Sequence, residues 1–136
     1  GIKVQSSKGI VAHSDGDIVI HAIVDSILGA LALGDIGTYF PSSDPKLKNQ
    51  SSYIFLEKII TEMKNNDYDI ANIDVNIILQ SPHINPYILK IRKQLSIFMN
   101  LDIEKISIKA TTTDKLGYIG KHEGVMTTAT TLLIKE

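Results

Sequence analysis

Asp17, His21 and Asp25 recur at every fourth position within the stretch Ala12 to Asp35. On a helix that spacing stacks them on one face. The positions between them are apolar: Ile18, Val19, Ile20, Ala22, Ile23, Val24, Ile27, Leu28, Leu31 and Leu33. A helix greasy on nearly every side is buried on most sides, and ionisable groups buried there without partners are strongly unfavourable. The row must therefore meet partners or a cleft. An imidazole between two carboxylates suits divalent-metal ligation, with Asp17 or Asp25 accepting the ring's other N–H as an outer-shell partner. The plainer alternatives are a hydrogen-bonded core histidine or a polar seam between subunits. His13 stands eight residues before His21, just outside the helix.

Two further stretches carry candidate chemistry. Lys109 to Lys115 reads KATTTDK, a strand end running into a loop. Successive hydroxyls and backbone N–H groups at such a turn can hold phosphate oxygens, and the Asp114 carboxylate beside them can hold a hard cation between phosphates. Threonine triplets also occur simply because β-branched residues suit strands. The glycines that follow match neither GxxxxGK[ST] nor GxGxxG, so no nucleoside triphosphatase or dinucleotide site is supported. Leu79 to Asn85, LQSPHIN, is a strand end followed by a proline-stiffened turn whose backbone amides could read a flat base edge. An ordinary structural turn is the alternative.

Those residues need elements to carry them. Gly1 to Gln5 alternates weakly and is expected to form an edge strand, with Ser6 to Gly9 turning the chain. The central helix is expected to start near Asp15, with Ser14, Asp15 and Gly16 as capping residues, and to stop at Gly34. Asp35 to Ser52 is a long Gly-, Pro- and Ser-rich loop of the kind that often carries function. Tyr53 to Asn65 has helical spacing. Ile73, Val75, Ile77 and Leu79 alternate as a strand. Pro86 suits the first turn of a helix running to about Asn100. Ile106 to Thr113 and Val125 to Ile134 read as strands. The sum is an α+β chain: a mixed four- to five-stranded sheet with helices packed on one face, a ferredoxin-like two-layer sandwich.

Size and charge narrow the function. The 136 residues suit one domain spanning 1–136. With 14 Lys plus Arg against 15 Asp plus Glu, the net charge of -1 provides no long-range field toward nucleic acid or anionic membrane. No aromatic pair on a strand marks an RNA-binding surface either. The absence of Cys leaves His, Asp and Glu as metal ligands and fits a reducing compartment. No apolar run reaches the roughly 18 residues of a membrane span, and the first residues lack a signal peptide's apolar core. A soluble protein is expected.

Three segments, AHSDGDIVIHAIVDSILGALALGDIG, FPSSDP and KATTTDKLGYIGKHEG, together resemble the 2-C-methyl-D-erythritol 2,4-cyclodiphosphate synthase family in order and spacing along essentially the whole chain. The resemblance implies a lyase of the non-mevalonate isoprenoid route that cyclises 4-diphosphocytidyl-2-C-methyl-D-erythritol 2-phosphate and releases CMP. It implies a homotrimer with active sites between subunits, in a bacterial cytoplasm or a plastid stroma. It implies zinc at His21, and magnesium or manganese at Asp114 bridging the α and β phosphates. His13 and Thr112 match transition-state-stabilising positions. His13, Ser14, Asp35, Ile36, Gly37, Phe40, Pro41, Ser42, Ser43 and Asp44 would surround the methylerythritol 2-phosphate end. Leu79, Gln80, Ser81, Pro82, His83, Ile84, Asn85, Thr111, Thr112, Thr113, Asp114, Tyr118 and Lys121 would hold the cytidine diphosphate end.

The chain also departs from the family pattern. Family members carry two further zinc ligands on an Asp-x-His strand, whereas Gly1 to Gly9 resembles the hairpin after it. The expectation is that an N-terminal piece is omitted here, leaving one zinc ligand of three. Ser42 stands where an acid is usual, His83 for Lys, Lys121 for Arg, Tyr118 for Phe and Asp114 for Glu. The alternative reading is a non-catalytic trimeric module that binds cytidine nucleotide or terpenoid phosphate.

Overall fold

The computed structural model describes residues 1–136. Its longest strand, β1 (Tyr68–Ile78), lies in the middle of a three-stranded sheet. β2 (Ile106–Thr111) pairs with it in parallel, and β3 (Met126–Lys135) pairs antiparallel on its other side. Alternation decides the two faces. Ile73, Val75 and Ile77 point inward with Ile106 and Ile108, while Asp74 and Asn76 point outward. A register shift between Ile70 and Asn72 lets Ile70 join the same buried face three residues before Ile73. This bulge is why β1 starts at Tyr68, within a segment that composition alone reads as a turn.

The helices cover the inward face. α1 (Ile18–Ala30) lies over β3, α3 (Ser52–Asn65) packs beside α1, and α4 (Asn85–Met99) lies over β2. The four-residue α2 (Ile36–Tyr39) and α5 (Gly117–Gly120) complete the helices, with one-turn 3-10 segments at Pro45–Leu47 and Ile103–Lys105. Ile20, Ile23, Val24, Ile27 and Leu28 of α1 share one core with Phe55, Leu56, Ile59 and Met63 of α3 and with the inner sheet residues. Two polar links fix helices to strands. Ser26 Oγ and Thr131 Oγ1 are 2.6 Å apart between α1 and β3. Arg92 of α4 donates to the carbonyls of Ile106 at 2.7 Å and Ile103 at 2.9 Å, where β2 begins.

Three expectations are corrected. The sheet has three strands, not four to five, because Gly1 to Gln5 pairs with neither edge; its hydrogen bonds to the rest of the chain run from the Gly1 ammonium to Asp17 and from Gln5 N to Tyr87 Oη at 3.4 Å. α1 begins after Asp17, whose Oδ1 accepts from Ile20 N at 3.0 Å and so caps the helix. α1 also ends early, because Ala32 takes the left-handed conformation (φ 55) and Leu33 N donates back to Leu28 O at 2.9 Å. No helix is long and apolar enough to cross a membrane.

Register sets where function can sit. Ile78 pairs with Thr111 on one side and Met126 on the other, so the chain leaving β1, the chain leaving β2 and the chain entering β3 meet at one rim. In sheets with parallel strands, the carboxyl ends are where ligands are commonly held.

Candidate active site

The site residues fall into two groups. The first gathers around His21, one turn into α1. Its Nε2 lies 2.8 Å from Ser52 Oγ and 3.2 Å from Ser14 Oγ, and its ring tilts against Phe55 with centroids 5.8 Å apart. Ser52, the first residue of α3, is fully buried. Its hydroxyl donates to Asp15 Oδ1 at 2.5 Å, and its amide donates to Asp15 Oδ2 at 2.8 Å. A hydroxyl has one proton, so with that proton on Asp15 the Ser52 oxygen accepts from His21 Nε2–H. In the neutral ring this leaves Nδ1 as the nitrogen with a lone pair. Burial pushes the Asp15 carboxyl up, but the Ser52 hydroxyl and amide, the Asp17 amide and the charge of His21 outweigh it and hold the group below the ordinary carboxylate range.

The aspartates flanking His21 have other tasks. Asp17 caps α1 and ion-pairs with the Gly1 ammonium. Asp25 Oδ1 accepts from Ile36 N at 2.9 Å and so ties α1 to α2. The helical row exists, but the imidazole's hydrogen-bond partners are serine hydroxyls.

The loop after α1 is built beside this group. Asp35 caps α2, accepting from Thr38 N at 2.8 Å and Thr38 Oγ1 at 3.0 Å, and those two bonds lower its carboxyl below the ordinary value. Phe40 stacks on Phe55 with centroids 4.4 Å apart, which links the FPSSDP segment to the ring beside His21. His13 Nε2 donates to Asp44 O at 3.4 Å, and Asn49 N donates to His13 O at 3.0 Å. Ser14 and His13 are thus held near His21 and Asp44 respectively, while Gly37, Pro41, Ser42 and Ser43 are exposed.

The second group sits at the sheet rim. Leu79, Gln80, Pro82, His83, Ile84 and Asn85 face Ala110, Thr111 and Thr112 across a pocket of about 240 Å³. Two stretches 25 to 33 residues apart in sequence are joined because parallel pairing puts their strand ends side by side. Leu79 N donates to Thr111 O at 3.0 Å and continues that pairing past β1. Asp114 and Lys115 take left-handed backbone (φ 51 and 67), steadied by Asp114 N donating to Thr112 Oγ1 at 3.2 Å and Lys115 N donating to Gln80 Oε1 at 3.0 Å. Thr113 Oγ1 donates to Leu116 O at 2.7 Å. A β-carbon at Gly120 would lie 2.1 Å from the Lys115 carbonyl carbon, so only glycine lets α5 fold back on this turn. Tyr118 lies against Gly124; Tyr118, Lys121 and Asp114 are exposed and none of them lines this pocket, Lys121 lining instead a larger cleft.

On the other side of the Leu79 to Asn85 turn is a larger open cleft of about 1450 Å³, between the first eleven residues, the start of α1 and α4. His122, Ser52 and Asp15 were not singled out as site residues by sequence reasoning. Ser52 and Asp15 carry capping signals only, and their long-range pairing leaves no periodic trace. No three His, Cys, Asp or Glu side chains in the chain stand close enough together to hold a metal ion.

A profile of the YgbB family matches residues 1–134. The 2-C-methyl-D-erythritol 2,4-cyclodiphosphate synthase of Leptospira borgpetersenii is 48% identical over 135 residues, 99% of this chain and 84% of that protein. Among solved structures, the bifunctional IspDF from Campylobacter jejuni superposes with a TM-score of 0.96 at 35% identity, over 100% of this chain and 37% of that one. The CDP complex of IspF from Plasmodium falciparum superposes with a TM-score of 0.82 at 43% identity, over 93% of this chain and 76% of that one.

Proposed function

The chain belongs to the YgbB family, and from that premise we propose that it converts 4-diphosphocytidyl-2-C-methyl-D-erythritol 2-phosphate into 2-C-methyl-D-erythritol 2,4-cyclodiphosphate and CMP. The observation that carries the assignment to this geometry is the convergence of Leu79 to Asn85 and Ala110 to Thr112 on one small pocket beside the Asp114 turn. The synthases among its relatives favour catalysis over a non-catalytic binding module.

The reaction needs no protein nucleophile. An oxygen of the substrate's 2-phosphate attacks the β phosphorus, a new P–O bond forms, and the bond from the β phosphorus to the bridging oxygen breaks, leaving that oxygen on CMP. What the protein must supply is a folded substrate and fixed donors where charge accumulates. We assign the pocket walls to the cytidine end, with Gln80, His83 and Asn85 offering polar groups. Thr111 and Thr112 would donate to the diphosphate, Thr113 would shape the turn beside it with its hydroxyl proton on the Leu116 carbonyl, and Tyr118 and Lys121 would border it. His13, Ser14 and the segments Asp35 to Gly37 and Phe40 to Asp44 would enclose the methylerythritol 2-phosphate end. His13 and Thr112 are the donors assigned to the developing charge.

Metal roles follow the donor sets. Asp114 is one exposed carboxylate beside threonine hydroxyls, which suits a magnesium-type ion that takes its remaining oxygens from substrate phosphates and water. Such an ion would offset charge on the diphosphate and polarise the β phosphorus. His21 offers one nitrogen, Nδ1, and belongs to no group of three His, Cys, Asp or Glu side chains. Three protein ligands are usual for catalytic zinc, so these residues alone do not make a zinc site.

Assembly as a homotrimer with sites between subunits is part of the same proposal. The two site groups share no hydrogen bond within one chain, and the outer face of β3 leaves Met126, Leu132 and Ile134 at 42%, 61% and 50% exposure. With the family's reaction we infer its compartment, a bacterial cytoplasm or plastid stroma.

The test is to incubate the full-length protein with substrate and Mg²⁺ and follow both products by ³¹P NMR. CMP and cyclodiphosphate should appear in equal amounts, and Thr112→Ala should slow turnover by about 100-fold, the loss typical of one preorganised donor. Folded protein that yields no CMP above background overturns the assignment.

A further inference from the structure

The turn from Leu79 to Asn85 is a partition between two cavities. Gln80, Pro82, His83 and Asn85 wall the small pocket, whereas Ser81 faces the larger cleft on the opposite side. A thin exposed wall of this kind is mobile unless something grips it. From the pocket side the grip is Gln80 Oε1, which accepts from Lys115 N at 3.0 Å. From the cleft side it is His122, whose Nδ1 lies 2.8 Å from Ser81 Oγ.

His122 is built into place. Its backbone is left-handed (φ 61), a conformation uncommon outside glycine that His, like Asn and Asp, adopts more readily than other side chains. Its N–H donates to Ile119 O at 3.0 Å, and its carbonyl accepts from Lys8 Nζ at 3.2 Å. One residue therefore ties the Ser81 turn, the loop after α5 and the N-terminal segment together. Because a hydroxyl both donates and accepts, the link to Ser81 forms with either tautomer of the ring and with the imidazolium.

We propose that His122 is a positioning residue for the cytidine end of the site: through Ser81 it holds the pocket's outer wall in its ligand-ready shape before the ligand arrives. The inference rests on the reading given under Proposed function, in which that pocket takes the nucleotide. A wall already ordered loses less entropy on binding, so the link acts on affinity and leaves the bond-making step alone.

The test uses three variants in the full-length protein. His122→Gly is at ease at positive φ and removes the link without adding strain. His122→Asn also tolerates that backbone, and its side-chain amide can still hydrogen-bond Ser81. Ser81→Ala removes the link from the other side. His122→Gly and Ser81→Ala should each raise KM and weaken CMP binding by calorimetry about three- to ten-fold, the scale of one lost hydrogen bond. The turnover number of His122→Gly should stay within about two-fold, as for a lost contact made equally in ground and transition states. The Asn variant should restore affinity, and the Gly/Ala double variant should bind no worse than either single one. Unchanged CMP affinity in both single variants, fully additive losses in the double variant, or an Asn variant as weak as Gly overturns the proposal. If wild-type protein binds CMP but turns over no substrate, the proposed activity fails, and the same CMP affinities still decide the role of His122. Wild type that binds no CMP overturns both.

Discussion

Asp15, which capping chemistry alone assigns to the start of α1, reaches instead to both the amide and the hydroxyl of Ser52, while Asp17 takes the cap. Its carboxyl is held below the ordinary range in the folded chain. It therefore contributes stability above its unfolded value near 3.9, and that contribution disappears as pH falls through the lower folded value. Asp15→Asn should cost about 1 kcal/mol at pH 7, a figure reduced from that of a buried charged hydrogen bond because the group is largely exposed. In urea unfolding, the gap between variant and wild type should close below about pH 4; a gap that stays constant with pH contradicts this. His21 is legible in the sequence as the odd residue on an oily helix, but its partners are not. Neighbours one helical turn away suggest carboxylates, whereas the hydroxyl that fixes the ring comes from Ser52, 31 residues along the chain.

At the level of elements, periodicity locates α1, α3, α4 and all three strands, since each buries one regular face. It misses what depends on pairing or on single backbone torsions. Gly1 to Gln5 alternates like a strand but has no edge to join. β1 starts earlier than its alternation suggests because a bulge resets the pattern at Ala71. α1 ends at Ala30, four residues before Gly34, because Ala32 already turns left-handed ahead of the glycine. Two glycines separate packing from propensity. A β-carbon at Gly120 would collide with the Lys115 carbonyl, whereas one at Gly29 in α1 meets nothing within 4 Å. Gly120→Ala should lower stability by about 1–3 kcal/mol and weaken CMP binding by displacing the Asp114 turn. Gly29→Ala should raise stability by about 0.5–1 kcal/mol. Urea midpoints read both, and equal shifts would show that the Gly120 contact can relax.

For the molecule as a whole, near-neutral charge and one hydrophobic core were evident from composition, and the family pattern supplied the reaction that spacing alone left open. The strand count was not evident, because the alternation of Gly1 to Gln5 is that of a strand although it pairs with no edge. The sheet leaves the outer face of β3 exposed, a row of Met126, Thr128, Thr130, Leu132 and Ile134 suited to a second copy of the chain. Leu132→Glu should shift the protein toward monomer in light scattering, with the circular dichroism spectrum unchanged and turnover lost. An unaltered mass would place the subunit contact elsewhere.

The meeting of Thr111, Ile78 and Met126 at one rim bears on how such a protein can diversify. The three connections there hang beyond the last rungs of the ladder, while the hydrocarbon that keeps the chain folded lies beneath the helices. Substitutions of the exposed polar side chains on the rim, unlike those of Gly120 or the buried Leu79 and Ile84, are thus largely free of any penalty in folding. Lineages can drift in the very residues that grip a nucleotide, swapping one polar side chain for another, and still inherit the same backbone.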